Sequence, residues 1–228
     1  MNAVYYYEHD CTDFTTTGAC GDLMPVECLF TEEKSKSGYF RNISNNEFFI
    51  GALVLAISKY NSTNNVCFHW VYNGRDNEKY KNTVGLFLEN LPIFSIIDSK
   101  MSIAEYFENI KEQVTYNIAN NKVPYSMYEN QKITNTIYIR YQNNLLNYSQ
   151  YDFIDETIGL NFYDSISPVH FAIEIIDSYN LDTYTCGLEY TEGCYKKESI
   201  ERFFKTYDEI VTKILSIEDI SNYKIKDL

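Results

Sequence analysis

Three stretches of the chain carry apolar residues at helical spacing, and segments of strand propensity separate them. That alternation restricts the chain to helices packed on a sheet. The first stretch holds Phe48, Phe49, Ala52, Leu53, Ala56, Ile57 and Tyr60. It opens on Ser44-Asn45-Asn46-Glu47, a capping box with its hydroxyl first and its carboxylate three residues later. The second runs from Ser102 to Asn120, with Ile103, Tyr106, Phe107, Ile110, Val114 and Ile118 on one stripe, and Pro124 closes the segment. The third runs from about Lys197 to Leu215, with Ile200, Phe203, Phe204, Tyr207, Ile210, Val211 and Ile214 facing inward. On its outer side Glu201 and Lys205 are spaced to pair. Strands are predicted over Val66–Tyr72, Thr83–Leu91 with a continuation at Phe94–Ile97, Thr136–Tyr141, Gly159–Tyr163, Val169–Ile176 and Tyr184–Tyr190. Val4–Phe30 reads as extended, and Glu32–Gly38 as a loop or short helix. The expected architecture is α/β, a two-layer sandwich in which helices pack on a mixed β-sheet. No repeat or linker divides the chain, so residues 1–228 read as a single domain.

Charge and composition narrow the function classes. Hydrophobic residues are 45% and charged residues 22% of the 228 residues, a balance that buries a real core. The net charge of −13 repels phosphate backbones, so no nucleic-acid partner is expected. The longest apolar stretch, Phe48–Ile57, is too short to span a bilayer, and MNAVYYYEHD has neither the basic region nor the apolar core of a signal peptide. No membrane partner is expected, and a cytoplasmic location is. The six cysteines include no C-x-x-C pair, and Cys11, Cys20 and Cys28 with His9 match no common zinc spacing, so no metal site is predicted. The 22 tyrosines alone imply no ligand.

The run FHWVYNGRDNEKYKNTVGLFLENLP, Phe68–Pro92, holds the most informative local pattern: a strand, a Gly74-Arg75 turn, a polar stretch, and a second strand read as stopping at Leu91-Pro92. It resembles a signature of the condensation domains of nonribosomal peptide synthetases. NEFFIGALVLAISKY resembles that family's Ala/Leu-rich helix, VCFHWVYNGR the strand and turn after it, and TVGLFLENLPI the pattern ending Asn-Thr-Leu-Pro. MSIAEYFENIKEQVTYNIANNKVPY resembles the next helix, and VHFAIEIID and GLEYTEGCYKKESIERFF the closing segment. The resemblance covers about Gly38 to Leu215. This chain departs from it at Glu89-Asn90, where the family often has Asn-Thr, and at His69-Trp70, where a small residue is common.

The resemblance implies a chloramphenicol acetyltransferase-like fold and the C-terminal lobe of a condensation domain. The implied partners are an N-terminal lobe and peptidyl or aminoacyl carrier domains, with substrates held on phosphopantetheine arms and no cofactor bound directly. The family's His-His-x-x-x-Asp-Gly motif belongs to the N-terminal lobe. The histidines here are His9, His69 and His170, none followed by a second His, so no catalytic residue carries over. The segment is expected to supply tunnel wall and lobe contacts and to be inactive alone, with its lobe face available for self-association.

The tunnel-facing candidates are His69, Trp70, Arg75, Gly85, Glu89 and Asn90. His69 either enters a tunnel or is a satisfied core residue. Arg75 either meets a phosphopantetheine phosphate or bonds backbone carbonyls or Glu78. A glycine within a strand, as at Gly85, marks close approach of a ligand or another backbone. Strand alternation places Val84, Leu86 and Leu88 on one face and Gly85, Phe87 and Glu89 on the other. No nucleophile elbow, phosphate loop, carrier attachment site or adenylation motif occurs. Two other readings stay open: a non-catalytic scaffold of the same fold, and a stand-alone oligomeric acyltransferase with His69 as base.

Overall fold

A computed structural model describes residues 26–28, 42–75, 78–121, 137–142, 171–178, 183–190 and 195–228. In chain order the elements are β1 (Val26–Cys28), α1 (Asn45–Tyr60), β2 (Asn65–Tyr72), α2 (Glu78–Lys81), β3 (Glu89–Ile96), α3 (Ile103–Ala119), β4 (Ile137–Gln142), β5 (Phe171–Ser178), β6 (Thr183–Tyr190), α4 (Lys197–Ser216) and a 3-10 turn (Ile225–Asp227). The strand proposed at Gly159–Tyr163, the segment Glu32–Gly38, and His9 and His170 lie outside the described residues.

Two helices begin where the sequence supplies a cap. The Ser44 hydroxyl accepts from the Glu47 N–H at 3.2 Å, and the Glu47 carboxylate accepts from the Ser44 N–H at 2.6 Å. Ser102 and Glu105 repeat the arrangement at the start of α3. The remaining free donors of that helix are taken from a distance: Ile103 and Ala104 donate to the carbonyls of Tyr223 and Ile220 at 2.9 and 3.0 Å. Residues 217–228 thereby pack back on α3, and Lys213 donates to the carbonyl of Asp227 at 2.8 Å.

The apolar stripes on α3 and α4 are buried as their periodicity requires. For α1 the stripe understates the burial, since every residue from Phe48 to Ile57 is buried. A helix apolar on all sides needs neighbours on all sides, and α1 packs against α3, α4 and β2. Tyrosines from both flanking helices reach its backbone. Tyr106 donates its hydroxyl to the Gly51 carbonyl at 2.7 Å, and Tyr207 donates to the Phe49 carbonyl at 3.2 Å. On α4, Lys205 pairs with Glu209 at 3.9 Å.

The described strands form one mixed sheet in the order β1-β6-β5-β4-β2-β3. The pairs β2–β4 and β4–β5 are parallel and the rest antiparallel. This is the expected α/β sandwich. One boundary differs: the strand expected over Thr83–Leu91 starts only at Glu89, and it continues through Pro92 to Ile96. Proline is tolerated there because β3 is an edge strand, where an N–H facing away from β2 has no ladder partner to lose.

Candidate functional site

Alternation along β2 sorts its side chains between the two faces of the sheet. Val66, Phe68, Trp70 and Tyr72 join the core beneath the helices, and Cys67, His69 and Val71 take the other face. Strands β4 and β5 follow the same rule. Ile137, Ile139, Ile173 and Ile175 lie in the core, while Tyr138, Arg140, Ala172 and Glu174 lie opposite.

The register turns that second face into two cross-strand rows. One reads Pro92, His69, Tyr138, Ala172 across β3, β2, β4 and β5, and the next reads Asn90, Val71, Arg140, Glu174. Polar groups from four strands are therefore juxtaposed on a sheet whose other face is apolar. Arg140 and Glu174 are direct neighbours in the second row and both are half-buried, which favours their opposite charges over either alone. The His69 ring stacks on Tyr138 with centroids 5.4 Å apart and planes at 28°. His69 is only 3% exposed, and burial pushes its imidazole down to about 4. It is neutral at pH 7, with one ring nitrogen a donor and the other an acceptor.

The structure thus places His69 and Asn90 on one face and separates them from two other candidates. Trp70 lies in the core, 5.4 Å from the Tyr72 ring. Glu89 pairs with Tyr72 and shares the strand parity of Leu91 and Ile93, on the core side. Tyr138, Arg140 and Glu174 were not among the residues singled out from the sequence. Their signal was present in the alternation of IYIRYQ and FAIEIIDS, but only the register joins them to His69.

Arg75 and Gly85 belong to a second construction at the start of β3. Gly74 takes φ +64, and a Cβ there would meet the Phe87 carbonyl, so the turn requires glycine. The turn delivers the Arg75 guanidinium to three carbonyls: Tyr80 at 2.5 Å, Thr83 at 2.8 Å and Gly85 at 2.9 Å. The same group lies 4.3 Å from the centre of the Phe87 ring. The guanidinium is committed to backbone carbonyls and an aromatic face, the arrangement that its planar fork of donors suits. Residues 83–88 form an irregular loop, so alternation there follows the clamp and not a ladder. Phe87 turns in beneath Arg75, while Val84, Leu86 and Leu88 are exposed.

Comparisons with known proteins are consistent with one another. The model of the family described as Condensation domain matches residues 40–222. No curated protein matches the chain. Among solved structures, a complex of the X-domain and OxyB from teicoplanin biosynthesis matches with a TM-score of 0.76 and 10% identity, covering 100% of this chain and 52% of that one. The condensation domain of the Monacolin K polyketide synthase MokA matches with a TM-score of 0.72 and 12% identity, covering 90% and 49%. The epimerization domain from the third module of tyrocidine synthetase B matches with a TM-score of 0.65 and 15% identity, covering 93% and 51%. This chain spans about half the length of each of these three.

Proposed function

The chain belongs to the condensation-domain family, with that family's chloramphenicol acetyltransferase-like fold, and from this premise we propose that it is the C-terminal lobe of a nonribosomal peptide synthetase condensation domain. The carrying observation is the family match over residues 40–222 in a chain without a His-His pair. Coverage of about half of each of three solved relatives supports the same division.

In the complete domain, the amine of a carrier-bound aminoacyl acceptor attacks the thioester of a carrier-bound acyl or peptidyl donor. The new C–N bond forms as the C–S bond breaks, and the proton lost by the amine ends on the departing carrier thiolate, which leaves as the thiol. That step needs a positioned base or dipole and stabilisation of the tetrahedral oxyanion. In our reading the missing lobe contributes these through its histidine motif, and this chain contributes one wall of the substrate passage. Asn90, Tyr138, Arg140 and Glu174, half-buried around the buried His69, are the residues best suited to that wall, because they offer donors and acceptors to an amide-rich substrate. The N-terminal lobe and the carrier domains are the partners, phosphopantetheine arms bring the substrates, and the cytoplasm is the expected compartment. Among the described residues no helix is long and apolar enough to cross a membrane.

The test is peptide-bond formation with loaded donor and acceptor carriers, comparing the chain alone with the chain plus a separately expressed N-terminal lobe. Product only in the mixture supports the half-domain reading. Product from the chain alone would overturn it in favour of His69 acting as a base, a role that its burial opposes. No product in either leaves the scaffold reading standing.

A further inference from the structure

Residues 217–228 leave α4 at Ile217, whose backbone is extended, and cross back over the start of α3. The segment holds a shape of its own. The Asp219 carboxylate accepts from the Ser221 N–H at 3.0 Å and from the Asn222 carboxamide at 2.6 Å, and the Tyr223 N–H donates to the Asp219 carbonyl at 3.2 Å. Main-chain bonds then tie it to residues 99–104 in both directions. Ile103 and Ala104 donate to Tyr223 and Ile220, while Ile225 and Lys226 donate to the carbonyls of Met101 and Ser99, each at 3.0 Å. Ile103 and Ala104 open the helix, so neither N–H has an acceptor within α3. At the far end, Lys213 of α4 donates to the main-chain oxygens of Asp227 and Leu228 at 2.8 and 2.5 Å. Yet only Ile220 of the segment is buried, whereas α1 buries every residue from Phe48 to Ile57. A region with few buried apolar side chains and exposed main-chain bonds opens at lower free energy than the core.

We propose that residues 217–228 are a strap that opens and closes over the start of α3 as one unit, independently of the sheet, with Lys213 as its latch. The bonds within the segment make it a unit. The bonds to residues 99–104 lie on both sides of the bridge between Ser102 and Lys224, so they form and break together. Lys213 holds the end of the strap farthest from its hinge at Ile217. The open form presents the alternating donors and acceptors of residues 99–104 that the strap fills when closed, and it returns Ile220 to water. The inference is independent of the function proposed above, since it draws only on contacts within this chain.

Native-state amide hydrogen exchange on the full chain tests this, with two variants that separate the strap from the core. The amides of Ile103, Ala104, Ile225 and Lys226 are expected to exchange through one shared opening, faster than the amides of the central strands β4 and β5. Lys213→Met keeps the aliphatic stem and removes the donor, and it should speed all four by a common factor of roughly 10. Ile173→Val weakens the fully buried face of the sheet. It should speed the amides of β4 and β5 about threefold and leave the four strap amides unchanged, because the strap opens while the sheet stays folded. Four amides that answer Lys213→Met by different factors would show fraying one residue at a time and overturn the proposal. Strap amides that speed up with Ile173→Val would show that the segment opens only when the whole chain unfolds, and would overturn it as well. Exchange at Ile103 and Ala104 that ignores Lys213→Met would remove the lysine as the latch.

Discussion

Gln113 of α3 closes the outer edge of the sheet by pairing its carboxamide with both backbone groups of Phe94. Its side-chain oxygen accepts from the Phe94 N–H at 3.1 Å, and its side-chain nitrogen donates to the Phe94 carbonyl. One turn further on, Asn117 donates to the Pro92 carbonyl at 2.6 Å. Two amide side chains thus occupy positions where a further strand would bond, and an open edge is a template for association. Replacing both with alanine should cost about 1–3 kcal/mol, at ~0.5–1.5 kcal/mol for each net hydrogen-bonding side chain lost. It should also produce concentration-dependent association. Urea denaturation measures the first and sedimentation velocity the second; a double variant that stays monomeric would show that the amides are not what blocks the edge.

Gly51 lies in the middle of α1, where alanine is ordinarily the better helix former by about 1 kcal/mol. Here the sign reverses. A Cβ at Gly51 would lie 2.5 Å from Cε1 of Phe107, whose ring stacks at 5.6 Å on Phe48 in the fully buried core. The ring has no empty space to enter, and overpacking of this kind costs about 1–3 kcal/mol. Gly51→Ala should therefore lower the denaturation midpoint, and adding Phe107→Leu should recover part of the loss. A stabilised Gly51→Ala would show that helix propensity outweighs the contact.

The parts of the fold that were legible in the sequence are those governed by one local period. The stripes on α3 and α4, the cap at Ser44 and the strands at β2, β4, β5 and β6 follow from 3.6- and 2-residue spacing and short-range chemistry. The misread stretch, Thr83–Leu88, alternates as a strand does, but a guanidinium eight to ten residues upstream in sequence captures its carbonyls at Thr83 and Gly85. Pro92 read as a stop because nothing local shows that β3 is an edge. For the candidate site, His69 and Asn90 were visible as strand residues. Arg140 and Glu174 were not, because only the parallel register across β2, β4 and β5 brings them beside those two.

The two capping boxes should differ in their contribution. Ser44 is exposed, so water replaces part of what its hydroxyl supplies, whereas Ser102 is buried beneath residues 217–228. Loss of an N-cap hydroxyl costs about 0.5–2 kcal/mol. Ser44→Ala should fall near the low end and Ser102→Ala near the high end. Ser102→Ala should also loosen the contact between α3 and the C-terminal segment, read as faster amide exchange at Ile103 and Ala104. Equal costs for the two variants would remove burial as the cause.

Stability should depend on pH through His69. Its folded pKa of about 4 lies below the ordinary 6.5, because burial disfavours the imidazolium. Between these values the unfolded chain binds the proton and the folded chain does not, so stability rises with pH across that window. The contribution is complete above pH 6.5 and is lost as pH falls toward 4. The depression of about 2.5 units corresponds to roughly 3 kcal/mol at 1.36 kcal/mol per unit. Glu105 overlaps only the acid end of this window: the Ser102 backbone and hydroxyl bonds hold its carboxyl below its ordinary value of 4.5, so its contribution starts to fall near that pH and goes on falling below it. Denaturant unfolding at steps between pH 4 and 7 should show a steep slope for the wild type and a shallower one for His69→Gln, whose side chain does not titrate. Equal slopes would mean that the fold does not disfavour the His69 imidazolium, and that its burial against Tyr138 does not set its charge.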